Sequence, residues 1–72
     1  MNVEIINTSP EKIPPELDEA IRQYAVYHIF EEQRNRVVIE SQYASYDLRA
    51  AFVKVDENHI TVWISNWTKT NK

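Results

Sequence analysis

The sequence predicts one small α+β domain in which a single helix packs on the aliphatic face of an antiparallel sheet. The chain has 72 residues, which is too few to build two hydrophobic cores. One segment has apolar residues at helical spacing, whereas several others alternate between apolar and polar residues as strands do. We therefore predict one domain over residues 1–72, with the element order β-α-β-β-β.

The first strand and the helix are predicted from the N-terminal part of the chain. The β-branched residues of NVEII, at 2–6, are typical of a short strand. The stretch NTSPEKIPP then interrupts regular structure, and a helix should begin near Pro15, because proline loses no hydrogen bond in a first turn. The helix should end near Gln33. Because the chain lacks glycine, Asn35 should adopt the left-handed conformation at the helix end.

The predicted helix changes character along its length. Its first half carries an apolar stripe that should face the sheet, formed by Leu17, Ala20, Ile21, Tyr24 and His28. In the second half, Val26, Ile29 and Phe30 lie on the opposite side of the helical wheel, so the last turns are apolar nearly all round. Such a segment needs cover on two sides. The alternative is that AVYHIF is a strand, since its residues are β-branched and aromatic.

Three antiparallel strands should follow the helix. Their sequences are RVVIESQY at 36–43, LRAAFVKV at 48–55 and ITVWISNW at 60–67. A four-residue loop from Asp56 to His59 would pair Val53 with Val62 on the aliphatic face that carries the helix. The tail at 68–72 should be frayed and dispensable.

The other sheet face should remain exposed, because one helix can cover only one face. The same register would place two large pairs there, Phe52 with Trp63 and Leu48 with Trp67, and Val38 on the preceding strand would extend them. A contiguous apolar patch in water usually marks an interface, and tryptophan is prominent among the residues that dominate binding energy. The predicted interaction surface consists of Leu48, Phe52, Trp63, Trp67, Val26, Ile29 and Phe30.

Charge is unevenly distributed along the chain, whose net charge is -3. The N-terminal half is acidic and the C-terminal half mildly basic. An acidic balance disfavours nucleic acid and anionic membranes and suits a protein partner with a basic surface. The secondary electrostatic residues of this prediction are Glu16, Asp18, Glu19 and Glu40.

These features predict a protein-interaction module, homodimeric and acting as a regulatory or inhibitory binder of a larger protein. Self-association and docking on a larger protein are compatible. The alternative is a single-stranded nucleic-acid binder whose tryptophan and phenylalanine face stacks bases. The basic residues beside that face would be Arg34, Arg36, Arg49 and Lys54, a thin positive footprint for such a role.

No pattern indicates an enzyme or a cofactor site. The absence of cysteine and glycine excludes thiolate metal ligands and a glycine-rich phosphate loop. His28 with Glu31 and Glu32 offers metal-ligand types within one turn, but too few for a useful site, so His28 is better explained as a partly buried structural residue. We expect no catalysis, cofactor or metal. Without a spanning apolar run or a secretion signal, we expect a cytoplasmic protein with no membrane contact.

Overall fold

Four strands form one sheet, and a helical layer covers one of its faces. The computed structural model describes residues 2–70. The elements are β1 (Asn2–Asn7), α1 (Pro15–Ala25), a π-helical segment (Val26–Glu31), β2 (Arg36–Tyr43), β3 (Tyr46–Asp56) and β4 (His59–Lys69). The predicted α+β class and the β-α-β-β-β order are therefore confirmed.

The sheet is mixed, with the strand order β1-β4-β3-β2. β2 pairs with β3 and β3 with β4 in antiparallel fashion, whereas β1 runs parallel to β4. The prediction of a purely antiparallel sheet is wrong in this detail. The helical crossover returns the chain to the far edge of the sheet with β2 parallel to β1. The next two connections are hairpins, and each reverses the chain direction. β4 therefore runs parallel to β2 and also to β1, its neighbour in the sheet.

The helical layer is held by a stripe of residues four apart. Leu17, Ile21, Ala25 and Ile29 are all fully buried. The last of them was predicted to lie on the opposite side of the helix, and that prediction is wrong. The π-helical segment has i→i+5 hydrogen bonds, such as Arg34 N–H to Ile29 C=O at 2.9 Å. Its wider turn advances each residue by a smaller angle, which keeps Ile29 in line with Ala25.

The ends of the helical layer and of the chain differ from the predictions in three ways. The helical layer ends at Glu31, and Gln33, with φ of 55°, takes the left-handed conformation that we assigned to Asn35. The segment AVYHIF is helical rather than a strand. Residues 68 and 69 belong to β4, and Thr70 N–H donates to Ser45 C=O at 2.9 Å. The predicted frayed tail is therefore wrong for 68–70, and 71–72 lie outside the described residues.

Two β-bulges set the register between β3 and β4. The connecting turn contains only Glu57 and Asn58, because Asp56 pairs directly with His59. Lys54 then pairs with Ile60, so Val55 is left as the extra residue of the first bulge. A second shift between Arg49 and Ala50 leaves Ser65 unpaired. Because a shift of one residue turns every following side chain to the other face, each bulge exchanges the two faces.

The core lies between the helical layer and the face of the four-stranded sheet that packs against this layer. On that face Phe52 pairs with Val62, and Ala50 pairs with Ile64. The buried apolar residues of the described chain are Val3, Leu17, Ile21, Ala25, Ile29, Ile39, Tyr46, Leu48, Ala50, Phe52, Ile60, Val62 and Ile64. All four strands and both helical segments therefore share one core.

The turn between β2 and β3 places two ordinary residues in a conformation that favours glycine. Tyr43 pairs with Tyr46, so the turn consists of Ala44 and Ser45, with φ of 54° and 71°. Positive φ at both central positions is characteristic of a type I′ turn, for which Asn-Gly is the preferred sequence. Each residue with a Cβ costs roughly 1–2 kcal/mol in this conformation.

Replacing this turn with its preferred sequence should stabilise the protein. We expect Ala44→Asn with Ser45→Gly to raise the free energy of unfolding by about 1–2 kcal/mol, because both residues then tolerate positive φ. Chemical denaturation measures this. The matched control is Asn58→Gly in the other two-residue turn, whose backbone φ is not positive, and where glycine should destabilise. Equal effects in the two turns would contradict the proposed cost.

The helical layer ends in a small ion-pair cluster. Glu32 Oε1 lies 3.0 Å from His28 Nδ1 and 3.2 Å from Arg34 Nε. The hydrogen bond to His28 is the main cause that holds the pKa of Glu32 below its ordinary value of 4.5, and the charge of Arg34 adds to it, while burial acts in the opposite direction. The cluster therefore favours the ionised carboxylate in the folded chain.

This pKa shift has a defined consequence for stability. A carboxyl group whose pKa is lowered on folding contributes stability above its ordinary pKa, and that contribution is lost as the pH falls through the folded pKa. We expect NMR titration to find the Glu32 pKa below 4.5 in the native chain and closer to it in His28→Ala. Arg34→Ala, as the control, should shift it upward by less. An unchanged pKa in His28→Ala would show that the hydrogen bond does not govern this group.

Candidate interaction surface

The sheet face opposite the helical layer, here called the outer face, carries a continuous line of apolar residues. The register places Ile6 beside Trp63, Trp63 beside Ala51 and Ala51 beside Val38. We call these four residues the apolar row. It crosses the sheet from one edge strand to the other, at right angles to the strands.

The apolar row is accessible to solvent. Trp63 is 47% exposed and Val38 55%, whereas Ile6 and Ala51 are half-buried by their neighbours. The one helical layer lies on the other face, so nothing in the described chain covers the row. The expectation that Trp63 lies on an uncovered sheet face agrees with this position.

Two residues predicted for the exposed face are in fact in the core. Phe52 is 1% exposed and Leu48 is 3% exposed, and both face the helical layer. The bulge at Val55 is the cause, because it pairs Phe52 with Val62 rather than with Trp63. Their predicted place on an interaction surface is therefore wrong.

The two tryptophans lie on opposite faces of the sheet. Trp67 pairs with Leu48 on the helical side, because the bulge at Ser65 turns the end of β4 over. It is half-buried, its ring packs edge-on against Tyr46 at 5.9 Å between centroids, and its Nε1–H donates to Glu11 C=O at 3.1 Å. Trp67 thus anchors the loop before α1, and its predicted place beside Trp63 is wrong.

The helical residues of the predicted surface also serve the core. Ile29 is fully buried, and Val26 and Phe30 are half-buried against the same core. Lys54 Nζ lies 5.7 Å from the centre of the Phe30 ring and so partly covers it. The exposed aromatic residue of this segment is Tyr27, at 54%.

Sequence reasoning missed two members of the apolar row, Ile6 and Ala51, whereas Val38 lies on the tryptophan face as predicted. Their membership depends on the β1–β4 pairing and on the register across four strands. A hint was available for Ile6, since it follows Ile5 directly and two neighbouring strand residues must point to opposite faces. Nothing in the sequence indicated that β1 would lie beside β4.

Charged residues flank the apolar row on both sides. On one side the register runs from Glu4 through Thr61 and Val53 to Arg36. We call these four residues the charged row. Glu4 Oε1 lies 3.4 Å from His59 Nε2. On the other side Glu40 forms an ion pair with Arg49. The two charges neutralise each other, so this side of the apolar row attracts a charged partner only weakly.

The predicted acidic residues divide between the two layers. Glu16, Asp18 and Glu19 belong to α1 on the helical side, whereas Glu40 lies on the outer face. Asp18 is paired with Arg22 at 2.7 Å. Because the two groups lie on opposite sides of the molecule, one flat partner surface cannot contact the acidic helix and Trp63 together.

The positive residues offered for nucleic-acid binding are mostly paired within the chain. Arg34 contacts Glu32 and Arg49 contacts Glu40. The remaining paired residue, Lys54, lies on the helical side, 3.6 Å from the carboxylate of Glu57. Within residues 2–70, Arg36 is the one member of this set without an ion-pair partner, which is too little charge for the positive groove that a single-stranded nucleic acid follows.

Neither histidine lies in a metal-binding cluster. His28 pairs with Glu32 and His59 with Glu4, at separate places in the fold. Within residues 2–70, no three side chains of histidine, cysteine, aspartate or glutamate come together to hold a metal ion. Among the same residues, no helix has both the length and the apolar character needed to cross a membrane.

The different environments of Phe52 and Trp63 lead to a direct test of the two faces. Phe52→Ala should lower the free energy of unfolding by about 3–5 kcal/mol, because it leaves a cavity in the core. Trp63→Ala should cost about 1 kcal/mol or less, since it removes only neighbouring contacts across the sheet. Chemical denaturation at low protein concentration measures both without a contribution from association. A larger loss for Trp63→Ala would reverse the assignment of the faces.

Comparisons of the chain with protein-family models, with curated protein sequences and with solved structures find no match. The outer face is therefore the feature from which a function has to be inferred.

Proposed function

We propose that this chain is a protein-interaction module that binds another protein surface through its outer face and thereby regulates or inhibits it. The observation that carries this proposal is the uncovered apolar row formed by Ile6, Trp63, Ala51 and Val38. The role needs no catalytic group of its own, because occupying a surface is sufficient to block or redirect a partner.

The composition of the outer face supports protein binding. Soluble proteins rarely leave a contiguous apolar patch in water without a use for it. Interfaces commonly combine an apolar centre containing tryptophan with a polar and charged rim. Here Trp63 occupies the centre of the sheet on β4, and charged residues such as Glu4 and Arg36 lie toward the edges.

The rest of the molecule is compatible with a regulatory role. Exposed acidic residues on α1, including Glu16 and Glu19, give the helical side a negative surface, which can attract a basic partner at long range although it lies opposite the outer face. The proposed setting is the cytoplasm. Disulfides rarely form there, so the absence of cysteine from this chain costs it no stability in that compartment.

The helical layer offers a matched control for testing the role of Trp63. Trp63 and Tyr27 are exposed to similar degrees, 47% and 54%, but lie on opposite sides of the molecule. Affinity capture with the native chain should retain a protein that Trp63→Ser loses and Tyr27→Ser keeps. With that protein purified, calorimetry should show a Kd at least about tenfold higher for Trp63→Ser, as expected for an interface hot spot.

Two results would contradict the proposal. The first is capture of the same proteins by the native chain and by Trp63→Ser. The second is a loss of binding in Tyr27→Ser alone, which would move the binding surface to the helical side. Circular dichroism of each variant establishes that the fold is retained.

A further inference from the structure

We propose that the occupant of the outer face is a second copy of this chain, packed sheet to sheet about a two-fold axis that runs parallel to the strands between β3 and β4. This inference rests on the proposed function of the outer face as a protein-binding surface and gives the occupant of that face in the free protein, which a regulated protein would have to replace. It is drawn from the order of residues along two neighbouring rows of the sheet.

A two-fold axis parallel to the strands reverses the strand order in the second copy. It leaves positions along the strand direction unchanged, so each row faces the same row of the partner. The sheet order β1-β4-β3-β2 then sets β4 against the partner's β3 and β1 against the partner's β2. Along the apolar row, Trp63 meets the partner's Ala51, and Ile6 meets the partner's Val38. The largest side chain of the row is thus opposite the smallest, which allows the two layers to interdigitate at the density of a protein core.

The charged row is complementary in charge to the same row of a second copy, read in the opposite strand order. Its ends are Glu4 on β1 and Arg36 on β2. The same axis sets Glu4 against the partner's Arg36 and Arg36 against the partner's Glu4, so that the symmetry gives two ion pairs. Within residues 2–70, Arg36 takes part in no ion pair, and the Glu4 side chain is 55% exposed beside His59. Both groups are therefore accessible to a second chain.

These contacts agree with how sheets pack. Face-to-face sheets pack about 10 Å apart at an angle of about 30°. For edge strands roughly 7 Å from the axis, this angle displaces the charged ends by only about 4 Å, which glutamate and arginine side chains can span. The other in-plane axis, along the apolar row, would set Trp63 against the partner's Trp63, where two bulky rings compete for one space.

The outer face is also large enough for a dimer. Its strands contain 6, 8, 11 and 11 residues, which at roughly 3.3 Å per residue and roughly 4.8 Å between strands gives a footprint of roughly 570 Å². Two such footprints together exceed the roughly 1,000 Å² of total buried surface that a biological interface should reach. Burial of this face would also support a chain of 72 residues, whose single core provides little stability by itself.

The ion pairs allow a test by charge exchange, followed by sedimentation equilibrium over a concentration series. The native chain should form a dimer. Glu4→Arg and Arg36→Glu should each weaken dimerisation at least about tenfold, because like charges would face one another twice across the interface. Mixing the two variants should restore a dimer, since one chain then carries two arginines opposite two glutamates. Glu31→Arg, the same charge change at an exposed site on the helical side, should leave the dimer unchanged.

The outcomes separate this inference from the proposed function. A native chain that stays monomeric up to about millimolar concentration, where even weak dimers associate, overturns the dimer and leaves the capture test of Trp63 to decide the function. A dimer that Glu4→Arg does not weaken overturns the proposed axis. A dimer that survives both charge variants and Trp63→Ser uses another surface, which also removes the support for the outer face as an interface.

Discussion

The structure depends on the fact that one helical layer can cover only one face of a four-stranded sheet. On the covered face, Leu17, Ile21 and Ile29 fill the core against Phe52 and Val62. The other face must either be polar or be covered by something else, and a line of apolar residues runs across its centre. The core and the proposed binding surface thus have the same origin, because the single helical layer covers one sheet face and leaves the other uncovered.

Bulges decide which residues lie on which face. If Val55 were regularly paired instead of bulged, Phe52 would pair with Trp63 on the same face. If Ser65 were regularly paired, strict alternation along β4 would turn Trp67 to the same face as Trp63. The two bulges assign one tryptophan to the surface and the other to the loop before α1, where it is fixed by a hydrogen bond to Glu11. They thus place Trp67 where it stabilises the fold and Trp63 on the proposed binding surface.

The sequence was sufficient to predict the fold class and the element order, because helical and strand periodicities reflect burial directly. It also predicted that Trp63 would lie on an uncovered face. The rest depended on interactions that local patterns do not report. The bulges that buried Phe52 and Leu48 arise from pairing between strands, and the parallel β1–β4 contact joins residues far apart in the chain. The π-helical turn that buried Ile29 is likewise a deviation from the regular helical wheel.

The position of β1 beside β4 has one more consequence. Glu4 and Ile6 come from the start of the chain, while Thr61 and Trp63 come from near its end, and they become neighbours only through this parallel pairing. The outer face is therefore a discontinuous epitope, with strands contributed by both ends of the sequence. No linear peptide cut from this chain contains it, and an antibody or mimic directed at it has to recognise the assembled sheet.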